Sequence, residues 1–166
     1  MNNIKTLWTK GRLYAFHEVE SHSRTILYCS GPCFVEFPKI HFILDTIEHE
    51  LYICAESEGD FYTLLLSNVC STCVCLGHEI HSAMDFLFTG KNIPALFEFA
   101  INSFWQTSFD GVAYLSESQI ISFGESLRKK KIELGEKIDN WLMDILKEKA
   151  NLYLHSQKSV SQTGNY

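Results

Sequence analysis

Residues 12–55 read RLYAFHEVESHSRTILYCSGPCFVEFPKIHFILDTIEHELYICA, and this stretch decides the fold class. Arg12–Val19, Thr25–Cys29, Cys33–Phe37, Ile40–Asp45 and Leu51–Ala55 are short runs rich in aromatic and β-branched residues. Such side chains fit the pleated, half-buried surface of a strand. Turn-forming groups separate them: Ser21-His22-Ser23, Ser30-Gly31-Pro32, Pro38-Lys39 and Glu48-His49-Glu50. Connections this short join antiparallel neighbours, because parallel strands need long crossovers. An antiparallel β-meander over residues 11–56 is expected, with Ile40–Ile47 also compatible with a helical turn.

Beyond Gly59 the apolar period lengthens. Phe61, Leu65, Val69, Cys73, Leu76, Ile80, Met84 and Leu87 recur every three or four residues, the stripe of an amphipathic helix. Asp60 would cap it and Gly90 would end it, with Gly77 permitting a break. The Leu64-Leu65-Leu66 segment also suits a strand. Pro94 opens the next helix, which runs to about Thr107 with apolar residues around most of its circumference. Asp110-Gly111 marks a loop, and Ser116 with Gln119 has the spacing of a capping box. Ile120, Leu127, Leu134 and Trp141 repeat at seven, but Gly124 and Lys131 interrupt the companion series. The expectation is an α+β protein: the meander packed on a C-terminal bundle of three to four helices. Residues 1–155 would form a single globular domain, and the polar residues 156–166 a flexible tail.

Composition agrees with a globular chain of one domain: 166 residues, 46% hydrophobic and 20% charged. Met1–Trp8 has no apolar signal stretch, and Leu96–Trp105 is too short for a span and broken by Glu98. A cytoplasmic location without membrane association is therefore expected. Six cysteines (29, 33, 54, 70, 73 and 75) would then be reduced and mostly structural. Cys29-x3-Cys33 has the wrong spacing for a thioredoxin-like pair.

No motif announces chemistry. His17-Glu18-Val19-Glu20-Ser21-His22 and His78-Glu79-Ile80-His81 both miss the HExxH spacing, and Glu48-His49-Glu50 lacks a second His. Nucleophile elbows, Walker loops and dinucleotide fingerprints are absent from the sequence. Cys70, Cys73, Cys75, His78 and His81 have zinc-compatible side chains. On one continuous helix, however, Cys70 and His81 would stand roughly 16 Å apart, too far for one ion. Only a loop through 70–78 would fold the set together. No cofactor or metal site is expected on that geometry. A small metal- or thiol-dependent enzyme using this cluster is the alternative.

Charge is segregated along the chain. Residues 36–127 hold thirteen carboxylates and two basic side chains, Lys39 and Lys91, while the flanks hold twelve basic residues and seven acids. The only basic run, Arg128-Lys129-Lys130-Lys131, would ring a helix as solvated surface, so direct nucleic-acid binding is not expected. Asp45, Glu48, Glu50, Glu56, Glu58 and Asp60 are the candidate contacts for a basic protein partner. In this general character (small, acidic, without a catalytic constellation) the chain is similar to the immunity proteins of bacterial toxin–immunity pairs. That resemblance implies a non-enzymatic inhibitor that blocks the basic, phosphate-binding cleft of a nuclease-type toxin. An acidic secretion chaperone or adaptor is a further alternative, docking an extended segment along a sheet edge or groove.

Overall fold

The computed structural model describes residues 4–28, 31–87, 92–109 and 115–163, with side chains described as far as Leu154. In chain order the elements are β1 (Lys5–Thr9), β2 (Arg12–Val19), β3 (His22–Tyr28), β4 (Gly31–Phe37), β5 (Ile40–Asp45), β6 (Glu50–Ser57) and β7 (Asp60–Leu64). There follow β8 (Val69–Cys70), β9 (Cys73–Val74), α1 (His78–Leu87), α2 (Ile93–Gln106), α3 (Glu117–Arg128), β10 (Leu134–Lys137) and α4 (Trp141–Thr163). The protein is α+β.

The large sheet runs β1-β2-β5-β6-β7-β10, with the β8–β9 hairpin attached to β6 through β9. All strand pairs are antiparallel. Two tight turns set its register. Lys10-Gly11 and Glu58-Gly59 all have positive φ, the conformation of a two-residue hairpin turn whose twist matches its strands. The β3–β4 hairpin stands apart as its own ribbon, so β2, flanked by β1 on one side, pairs on the other with β5 and not with β3, which follows it in sequence. Burial explains the division: all six residues of β5 are buried, whereas β3 and β4 bury only Ile26, Val35 and Phe37. A strand that is buried on both faces belongs in the middle of a covered sheet.

The helices cover both faces of the large sheet and do not cluster as one bundle. α1, α2 and α3 contribute Met84, Phe97, Phe104 and Phe123 to the core that contains Ala15, Phe42, Leu44 and Ile53. α4 contributes Leu142, Met143, Ile145 and Leu146 to a second core with Tyr14, Phe16, Ile43 and Cys54. Asn92 caps α2 through Ala95 N–H at 3.1 Å. Ser116 and Gln119 form the expected capping box of α3.

Two expectations need correction. The helix read from Asp60 to Leu87 is a strand, a hairpin and a short helix: only His78–Leu87 is helical. The Glu58-Gly59 turn sends the chain back along β6, and Phe61 and Tyr62 extend the sheet, so Asp60 caps no helix and instead faces Lys137 at 3.3 Å. Arg128–Lys131 does not ring a helix. α3 ends at Arg128, and the following residues turn onto β4, where Glu36 N–H donates to Lys130 O at 2.9 Å. Leu134, a member of the seven-residue repeat, lies in β10. α4 runs from Trp141 to Thr163. Cys29, Gly90 and Asp110-Gly111 lie outside the described residues. Among the described residues, no helix is long and apolar enough to cross a membrane.

Candidate functional site

The six nominated carboxylates sit in two groups, at opposite ends of β6. Glu50 and Glu56, at the near edges of the two groups, lie six positions apart on β6, roughly 20 Å along the strand. At the first end Asp45 is buried. One of its oxygens accepts from the backbone N–H groups of Ile47 and Glu48, both at 3.0 Å, and the other meets Arg12 Nη1 at 2.8 Å. Asp45 thus builds the β5–β6 turn. Glu48 is exposed on that turn, 3.5 Å from the same guanidinium. Glu50 begins β6, facing Cys73 and His81.

At the other end Glu56 contacts Lys39 at 3.2 Å and His41 at 3.0 Å, Asp60 meets Lys137, and Glu58 is exposed on its turn. The acid-rich middle of the chain and its basic flanks, separate in sequence, therefore meet in space. Lys149 of α4 is buried 3.3 Å from Glu18.

The loop that the sequence required for a thiol–imidazole cluster is present. β8 and β9 make a hairpin through Ser71-Thr72, in which Cys70 and Cys73 are directly opposed. Opposed residues of an antiparallel pair project from the same face. The chain then bends at Gly77 into α1, whose first turn carries His78 and His81. Cys70, Cys73, Cys75, His49, His78 and His81 all line one open cleft of about 380 Å³, with Glu50 at its wall.

A carboxylate ties the cleft to the β5–β6 turn. His49 Nδ1 lies 2.6 Å from Asp85 Oδ1, and His81 Nδ1 lies 3.7 Å from the other oxygen of Asp85. His81 Nε2 is shielded from solvent and makes no hydrogen bond. Glu50 Oε1, at 3.5 Å, is near enough for electrostatic attraction but does not satisfy it.

Burial pushes the Cys73 thiol up to about 11, reinforced by Glu50 and then by Cys70 and Cys75. An attacking thiolate needs the opposite shift, so Cys73 is held as a thiol and is unsuited to nucleophilic work. Among the described cysteines no disulfide forms, and Cys70 and Cys75 are exposed. As the side chains are placed, no three of the described His, Cys, Asp and Glu groups could together hold a metal ion.

Sequence reasoning missed His49 and Asp85. His49 was legible only as part of a turn, although it is buried. Asp85 lies four residues after His81, a helical neighbour that becomes visible once α1 is known to start at His78. No protein-family model, no curated protein and no solved structure matches this chain.

Proposed function

We propose that this chain is a non-enzymatic binding protein for a basic protein partner, and that the partner seats on the corner made by the β5–β6 turn and α1. The supporting observation is the composition of that corner. Ile47 is 52% exposed and Phe86 is 82% exposed, and the same two elements carry exposed carboxylates: Glu48 on the turn, Glu79 and Asp85 on α1. The His49–Asp85 contact holds turn and helix together. Glu79 and Phe86, seven residues apart, share one helix face. Apolar anchors ringed by like charges suit a cationic surface: the rim speeds encounter and the anchors slow release.

Of the six acids nominated from the sequence, this reading keeps Glu48 and Glu50 as contacts. It gives Asp45 the role of shaping the turn and leaves Glu56, Glu58 and Asp60 outside. The partner class that fits is a protein with a basic, phosphate-binding cleft, for which a nuclease-type toxin domain is the leading instance.

Coexpression with basic nuclease-domain toxins provides the test. Growth rescue by the wild-type chain is expected, together with a complex whose association slows roughly tenfold in the Glu48→Lys, Glu79→Lys double variant. Glu58→Lys, at the far end of β6, should leave both unchanged. Rescue and association rate that survive the double reversal would remove the proposal.

A further inference from the structure

We propose that the cavity between the large sheet and α4 binds a small apolar carboxylic acid, with its carboxylate on Lys149 and Lys5 and its hydrocarbon tail along Phe61 and Leu146. A chamber of about 230 Å³ is lined by Lys5, Glu18, His41, Glu56, Lys149 and Tyr153. It adjoins a groove of about 770 Å³, and the two share Glu56, Phe61, Leu146 and Ala150. Ile138, Met143 and Leu146, all buried, give the groove an apolar floor, and Asp60 meets Lys137 at its rim. A charged chamber that opens onto an apolar groove suits a ligand with one polar end, and the groove is large enough for a small organic molecule. The site is independent of the partner surface proposed above.

Two observations select an anion. The first is Lys149, whose side chain is 7% exposed. An ammonium carries three N–H donors. Among the described residues only Glu18 Oε1, at 3.3 Å, accepts from it, and the centre of the Phe16 ring lies 5.2 Å away. Spare donors on a buried ammonium lose free energy unless an acceptor enters the chamber. The second is the charge of the layer. Lys39 contacts Glu18 at 3.8 Å and Glu56 at 3.2 Å, so Lys39 and Lys149 together neutralise both carboxylates. Glu20, the other acid near Lys39, is 83% exposed and solvated by water.

Lys5 is left over. It is half-buried, has no carboxylate partner among the described residues, and lies over the Tyr153 ring at 4.9 Å. That ring is fixed in turn, because the Tyr153 hydroxyl accepts from Thr6 N–H at 3.0 Å and donates to Thr6 O at 3.1 Å. A monoanion between Lys5 and Lys149 would balance the layer, whereas a cation would meet two ammoniums and no free carboxylate. From the chamber the path continues past Phe61 and Leu146, where a hydrocarbon tail would cover apolar surface in the groove.

The experiment is calorimetric titration of the full chain with octanoate below its micellar range, with octanol and octylammonium titrated in parallel. Saturable binding of octanoate is expected, at least about tenfold tighter than that of octanol, and octylammonium should bind more weakly than either. Lys149→Met keeps the stem and removes the charge. It should weaken octanoate about tenfold and leave octanol unchanged, a split that altered packing would not produce. Lys5→Met, at a half-buried position, should weaken octanoate about threefold. Ala150→Phe fills the junction of chamber and groove from the exposed side of α4 and should abolish binding of both ligands. Lys129→Met, outside the cavity, should change nothing, and circular dichroism should show each variant folded. The proposal is overturned if octanoate shows no saturable binding, or if octylammonium binds as tightly. Equal losses of octanoate and octanol in Lys149→Met, or unchanged affinity in Ala150→Phe, would overturn it as well.

Discussion

Toward α1, α2 and α3 the large sheet presents Ala15, Phe42, Leu44, Leu51, Ile53 and Ala55, with His17 edge-on to Phe97. Toward α4 it presents Tyr14, Phe16, Ile43 and Cys54, but also Glu18, His41 and Glu56. Both faces are covered, and the second carries a partly buried layer of charged side chains. Lys149 reaches from α4 into that layer, its ammonium 3.3 Å from Glu18 and 5.2 Å from the centre of the Phe16 ring. Burial pushes the Glu18 carboxyl up, but Lys149, His41 and Lys39 together outweigh burial and leave it below its ordinary value. The first face is held chiefly by area removed from water and by ring packing, and its titratable member is His17. Docking of α4 is partly electrostatic, so the second face responds to protons and to salt.

The largest effect should come from breaking the first face. Phe104 is fully buried, with ring centroids 5.8 Å from Phe42 and 5.5 Å from Phe109. Phe104→Ala is expected to cost about 3–5 kcal/mol, measured as a fall in the urea midpoint with unchanged slope. A loss below about 1 kcal/mol would mean that this face is not a close-packed core. The second face should yield less. Lys149→Ala should cost about 2 kcal/mol, because the stem packing goes and Glu18 loses its nearest cation. Lys149→Met, which keeps the stem, should cost about half as much, since Glu18 is partly exposed and water can solvate it. Equal losses in the two variants would assign the whole effect to charge.

How much of this was legible depends on the kind of signal. Strands β2, β5 and β6 could be read because aromatic and β-branched residues lie between unmistakable turn groups. The start of α2 at Pro94 and the capping box of α3 could be read because both signals are local, whereas the Asn92 cap of α2 was not singled out. The 60–77 segment was misread because spacing of three to four apolar residues also arises when a strand, a loop and a hairpin each bury a few side chains. Nothing local distinguishes Leu65 on a helix from Leu65 after a strand; the pairing of β7 with β6 and β10 does. That error concealed the cleft, since Cys70 and His81 come together only if the intervening chain turns back. The pairing of acids with the basic flanks was invisible for a similar reason. Lys149 is 131 residues from Glu18, and no sequence spacing encodes that contact.

The finest discrimination between the faces is their pH response, carried by one histidine on each. His17 and His41 both have pKa values below the ordinary 6.5, in each case chiefly through burial. For His41, Lys149 lowers it further, while Glu18 and Glu56 pull the other way without prevailing. His41 is thus neutral, with Nε2–H donating to Glu56 Oε1 at 3.0 Å. As pH falls through about 6.5, the unfolded chain takes up a proton before the folded one does. Stability is therefore complete above that value and declines as pH drops toward the folded pKa. At lower pH the depressed Glu18 carboxylate adds a second decline. His41→Gln should flatten the first decline, as measured by urea unfolding across a pH series, and His17→Gln should flatten it independently. Lys149→Met separates the two faces: without the ammonium, the His41 pKa rises toward its unfolded value and its share of the slope shrinks, while the His17 share stays. If Lys149→Met leaves the slope intact in the His17→Gln background, the charged layer under α4 does not govern His41, and burial alone sets both histidines.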